Sequence, residues 1–153
     1  VACPHPASRQ QQSSVKVNTM NIEEKPAFAT PFEWIGGEDR VKALTDRFYD
    51  LMDLEPGYAA LRAAHGSDLV NARQRLFWFL CGWLGGPQHY TERFGHPMLR
   101  ARHLPFAIGV QERDQWLACM DQAMGETGVP EDLRTRLKTS FFQTADWMRN
   151  TKV

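Results

Sequence analysis

The stretch GHPMLRARHLPF, residues 95–106, holds His96 and His103 seven positions apart, with Arg100 and Arg102 between them and Pro97 and Pro105 close behind each histidine. Imidazole binds metals through a neutral ring nitrogen. Guanidinium grips carboxylates with two parallel hydrogen bonds, and proline removes backbone freedom beside either group. A zinc centre needs three or four ligands at recognisable spacing, and the chain has no HExxH run, no CxxC pair and no two histidines four apart. Haem asks less of a sequence: one strong axial ligand, an apolar wall for a flat ring, and cations for its propionates. LRARHLPF offers each of these, with His103 as the ligand, Leu99 and Phe106 as wall, and Arg100 or Arg102 at the rim. The competing reading is a half-buried histidine beside solvated arginines, and this stretch alone leaves both open.

Other chemistries find less support. There is no GxSxG turn, and Cys81 and Cys119 fall on apolar helix faces, where a free cysteine acts as a small hydrophobe. Most carboxylates fall on solvent faces or at helix starts, where the helix dipole accounts for them. Eighteen basic residues balance eighteen acidic ones, for a formal charge of zero, which argues against a nucleic-acid partner. The longest apolar run, LFWFLCGWLGG, is well short of the roughly 20 residues that span a membrane. Cys3, Cys81 and Cys119 lie far apart, a spacing that fits a reducing compartment, so the expected location is the cytoplasm.

The elements that must position these residues are helical. The 153 residues suffice for one domain, expected over 31–150 behind a disordered tail at 1–30 that is rich in Gln, Ser and Pro. TPFE at 30–33 has capping-box spacing with Pro at the first helical position, and Gly36-Gly37 stops that short helix. Val41, Leu44, Phe48, Leu51 and Met52 form the stripe of a helix from about Glu38 to Asp53. YAALRAAHG adds a turn or two ending at Gly66, which puts His65 at a bend. Ser67 or Asp68 caps a helix whose face is Leu69, Ala72, Leu76, Phe79, Leu80 and Trp83. From Gln88 to Pro105 the spacing predicts a constrained loop with a short helical piece at Met98 to His103. Helices from Gln111 to Gly125 and after Pro130 complete an all-α chain, with no period-two run to mark a strand.

The segment FLCGWLGGPQHYTERFGHPMLRARHLPFAIGVQERDQWLACMDQAM, residues 79–124, resembles the group II truncated haemoglobins in its Gly-Gly-Pro, its Gly-His-Pro-x-Leu-Arg-x-Arg-His-x-Pro-Phe run and its Arg-Asp-x-Trp-Leu. RFYDLM at 47–52 extends the likeness to about 31–149. The resemblance implies a shortened globin, two helix pairs crossed over haem b, with His103 as the proximal iron ligand. It places Tyr49 and Trp116 on the distal side, with His65 as a third distal candidate. It also sets Leu76 and Phe79 against the haem face, Ala72 at a side entrance, and Arg75 with Arg102 beside the propionates. His96 is expected to be a structural hydrogen-bonder, and His89 and His5 to face solvent.

The function so implied is reversible binding of dioxygen, and of nitric oxide or other diatomic ligands, at iron held by His103. The alternative on the same haem is an enzyme that oxidises nitric oxide or reduces peroxide. That alternative needs a separate reductase, since no GxGxxG loop is present. A helical interaction or sensor domain without cofactor is the third class, and the presence of His103, Tyr49 and Trp116 counts against it.

Overall fold

The computed structural model describes residues 28–152; most of the expected tail, with Cys3 and His5, lies outside the described residues. Helix α1, Pro31–Ile35, starts where Thr30 Oγ1 accepts the Glu33 N–H at 3.1 Å. Glu33 reaches back to the Ala29 N–H at 3.0 Å, one residue beyond the Thr30 N–H that a standard capping box would bond. Gly36, at φ 113°, ends the helix in a conformation that a side chain would strain. Helix α2, Glu38–Leu54, buries Val41, Leu44, Phe48, Leu51 and Met52, the stripe predicted from their spacing, together with Thr45 and Tyr49. Thr45 stays satisfied by donating to Val41 O at 2.9 Å.

A 3-10 turn at Pro56–Tyr58 leads into α3, Ala59–Ala64, with His65 at its C-cap and Gly66 at φ 68° just beyond. Asp68 caps α4, Leu69–Trp83, through Oδ1 and the Asn71 N–H at 3.2 Å. Helices α5, His89–Phe94, and α6, Leu99–His103, follow. Helix α7 is Val110–Glu126 and α8 is Glu131–Trp147. Helix α5 corrects the expectation of loop from Gln88 onward. Six residues are too few for periodicity to register, and this helix is held by tertiary packing, with Tyr90 against Phe79 at 6.2 Å and Phe94 against Trp78 at 6.0 Å.

Helix α2 packs on α4 and α7, α7 on α8, α3 across α7, and α5 on α4. The described residues are thus all-helical, with α2/α4 crossed over α7/α8. Phe48, Leu44 and Met52 meet Leu80, Met120, Met124 and Leu133 in a closed core. The Gly-Gly-Pro turn lies directly under α1: a Cβ on Gly86 would stand 2.5 Å from the Phe32 ring, and the Phe32 N–H donates to Leu84 O at 2.9 Å.

One departure from the periodic pattern matters for function. Of the apolar stripe predicted on α4, only Leu80 is fully buried, while Leu69, Ala72, Leu76, Phe79 and Trp83 are half-buried. An apolar face that another helix does not close lines a pocket.

Candidate functional site

His103 is the last residue of α6 and is half-buried. Its Nδ1 lies 2.7 Å from Leu99 O. A carbonyl can only accept, so the hydrogen sits on Nδ1 and the lone pair on Nε2, across the ring, is left for a metal. Helix α6 makes little helix-to-helix contact and is fastened by hydrogen bonds instead. Asn150 Nδ2 donates to His103 O at 3.2 Å and to Phe106 O at 2.7 Å, and Asn150 Oδ1 accepts from the Ile108 N–H at 2.9 Å. Arg100 donates to the carbonyls of Trp147 and Arg149.

On the upstream side, Met98 adopts φ 47°, a left-handed turn unusual for a non-glycine residue. Its N–H donates to His96 Nδ1 at 3.3 Å. His96 is therefore part of the scaffold, as expected. Arg102 donates to Pro97 O at 2.7 Å and to Phe94 O at 3.3 Å, so much of its donor capacity serves the loop. Arg75 is exposed, with its guanidinium 5.6 Å from the Phe94 ring centre.

Three further residues converge from other elements. Tyr49, on α2, is 4% exposed, and its ring meets His65 edge-on at 5.8 Å. Trp116, on α7, lies 5.3 Å from Phe48 and 5.2 Å from Phe141. Among the described residues no protein acceptor pairs with the Tyr49 hydroxyl or the Trp116 indole N–H. Burial pushes the Tyr49 phenol well above its ordinary pKa, against the opposing pull of Arg73, so it remains a donor.

His65 is a different case. Burial first, then the charges of Arg62 and His103, hold its pKa below the ordinary value, against its bond to Leu61. Its Nδ1–H is spent on Leu61 O at 2.9 Å, so the neutral ring offers a lone pair at Nε2 and no proton. Helix α3 is registered on α7 by two glutamines that sequence reasoning passed over: Leu61 N–H donates to Gln115 Oε1 at 2.9 Å, and Tyr58 O–H to Gln122 Oε1 at 2.6 Å.

Leu76, Phe79 and Leu99 are half-buried as a pocket wall requires, whereas Phe106 is 48% exposed and is not singled out by burial. His89 departs from its expected solvent-facing place: it contacts Glu38 and stacks on Phe77 at 6.4 Å.

Two crossed helix pairs, an imidazole with an open Nε2 at the end of α6, and two donors without a protein acceptor among the described residues are the parts of a globin-type ligand site. The chain belongs to the bacterial-like globin family, whose profile matches residues 30–150. It is 41% identical over 124 residues to Group 2 truncated hemoglobin YjbI of Bacillus subtilis (strain 168), covering 81% of this chain and 91% of that one. The group II 2-on-2 hemoglobin of Agrobacterium tumefaciens superposes with a TM-score of 0.78 at 44% identity, over 82% of this chain and 97% of its own. A truncated oxygen-avid haemoglobin from Bacillus subtilis does so with a TM-score of 0.72 at 41% identity, over 79% and 99%. The fold is therefore the two-over-two globin, and the family implies haem and a small diatomic ligand. The residues present fit that group: an imidazole with an open Nε2, a half-buried apolar face, and two donors without a protein acceptor among the described residues.

Proposed function

We propose that the chain holds haem b through His103 Nε2 and reversibly binds dioxygen, with nitric oxide and other diatomic ligands as alternatives, beside Tyr49 and Trp116. The observation that carries this reading is the combination of His103, its Nδ1–H committed to Leu99 O at 2.7 Å, with two donors that lack any protein acceptor among the described residues. When bound, haem supplies a ferrous iron able to take up one diatomic ligand.

The remaining work falls to side chains. Leu76, Phe79 and Leu99 exclude water, with Phe106 beside them. Tyr49 and Trp116 donate to a ligand that gains negative charge, and donors already in place in a water-poor pocket are worth more than the same donors in bulk water. His65, its Nδ1–H committed to Leu61 O, supplies no proton to the ligand and packs edge-on against the Tyr49 ring at 5.8 Å. Arg75 and Arg102 stand by the propionates. The oxygen-avid description of the Bacillus subtilis structure supports the same ligand here. Residues 31–150 form the globin domain.

Absorption spectroscopy tests the reading. The purified chain should show a haem band that shifts on exposure of the reduced protein to dioxygen. His103→Gly should abolish or greatly weaken the band, and added imidazole should restore it. A folded protein that takes up no haem, or a His103→Gly variant with the parent spectrum, overturns the assignment.

A further inference from the structure

Away from that pocket, three potential metal ligands converge from three different elements. Glu38 opens α2, Cys81 sits in the last turns of α4, and His89 opens α5. One ligand atom of each lies within 4.8 Å of the other two. Cys81 is 0% exposed, while the side chains of His89 and Glu38 are 26% and 46% exposed. The sulfur therefore lies beneath an imidazole and a carboxylate that solvent, and a hydrated cation, can reach. His89 Nε2 and Glu38 Oε1 touch, and stacking on Phe77, with an interplanar angle of 24°, fixes the plane of the His89 ring.

We propose that Glu38, Cys81 and His89 form a binding site for Zn²⁺, separate from the haem pocket, with a water as the fourth ligand. Carboxylate, thiolate and imidazole are the zinc ligand types, and three protein ligands with one open position is a standard zinc arrangement. Ligand atoms of a tetrahedral zinc centre lie about 3.5 Å apart, given bonds of about 2.0–2.3 Å. Zinc binding would therefore part the touching His89 Nε2 and Glu38 Oε1 so that both face a common ion beside the Cys81 sulfur.

Binding has to displace a proton. Burial, and then the Glu38 charge, keep Cys81 in its thiol form. A divalent cation beside the sulfur stabilises the thiolate and so offsets both effects. On binding, the Cys81 S–H bond is replaced by a Zn–S bond and the proton leaves to solvent. His89 binds as neutral imidazole, Glu38 as carboxylate, and no electrons are transferred. The ion would fasten the starts of α2 and α5 to the end of α4, at the root of the segment that carries His103. Spacing could not reveal this set, because its members lie 43 and 8 residues apart along the chain.

The test uses the full chain as purified, with Cys3→Ser and His5→Ala to remove competing ligands in the N-terminal stretch. Equilibrium dialysis against Zn²⁺ should retain one ion per chain. X-ray absorption at the zinc edge should show one sulfur at about 2.3 Å and nitrogen or oxygen at about 2.0–2.1 Å. Cys81→Ser and His89→Ala should each weaken retention more than about tenfold, a loss at least comparable with that from disturbing a metal site's outer partners. Circular dichroism monitors folding, and the partly exposed His89→Ala keeps the test decisive if the buried Cys81→Ser misfolds. No retained zinc, a zinc shell without sulfur, or unchanged retention in His89→Ala overturns the proposal.

Discussion

The side-chain amide of Asn150 donates to the carbonyl of His103 at 3.2 Å, across 47 residues of chain. The same amide holds Phe106 O at 2.7 Å, and its oxygen accepts the Ile108 N–H at 2.9 Å. One side chain beyond the end of α8 thus fixes where α6 stops and how the chain leaves it. The imidazole of His103 is aimed by a residue that never touches its ring.

Asn150→Ala removes three hydrogen bonds from a segment with little helix packing of its own. Counted at about 1 kcal/mol each, with some recovered by water, the cost is about 1–3 kcal/mol. At about 2–4 °C per kcal/mol for a domain of this size, thermal unfolding should fall by several degrees. Haem transfer to an acceptor protein should quicken. Unchanged melting and transfer would show that α6 needs no such tether.

Tyr49→Phe deletes a donor while keeping the ring that packs on Phe48 at 5.1 Å. A hydrogen bond to a charged acceptor is worth about 1.5–3 kcal/mol, so dioxygen release should speed up by about tenfold or more. Trp116→Phe should act in the same direction, and the double variant should exceed either. His65→Leu should act less, since His65 supplies no proton to the ligand. Stopped-flow release rates decide among these orders, and a larger effect at His65 than at Tyr49 would refute the assignment of roles.

Gly86→Ala would press a methyl group into the Phe32 ring, 2.5 Å from the new Cβ. Overpacking of this kind costs about 1–3 kcal/mol, and α1 should detach from the end of α4. Denaturant titration should show a lower midpoint. Gly66→Ala would meet nothing within 4 Å, so any loss there reflects the strain at φ 68° alone.

Asp121 accepts from Arg134 Nε at 2.8 Å. That bond, with the charges of Arg134 and Lys138, holds its carboxyl below the ordinary 3.8 despite partial burial. A depressed folded pKa contributes stability that is fully present above the unfolded value and is lost as pH falls through the folded one. The pair is worth on the order of 1 kcal/mol or less at 30% and 26% exposure. Unfolding midpoints measured from pH 6 to pH 3 should drop less steeply in Asp121→Asn, with the curves converging at the acid end.

Sequence alone determined the punctuation and the principal helices: the Thr30 cap, a second cap at Ser67 or Asp68, the stops at Gly36-Gly37 and Gly66, the buried stripe of α2, and the His103 segment with its family likeness. These are local properties, written in turn chemistry and in the period of a single helix. Tertiary structure decided what each face meets. The α4 stripe that reads as core is half-open at Leu76 and Phe79, because the helices opposite close only on Leu80 and its neighbours. Helix α5 exists because Tyr90 finds Phe79. His65 Nε2 is left as an acceptor because the Nδ1–H donates to Leu61 O, and Asn150, Gln115 and the Glu38–Cys81–His89 cluster join residues far apart along the chain. A polar side chain that bonds a distant backbone leaves no period in the sequence, so its role appears only when the chain folds back upon itself.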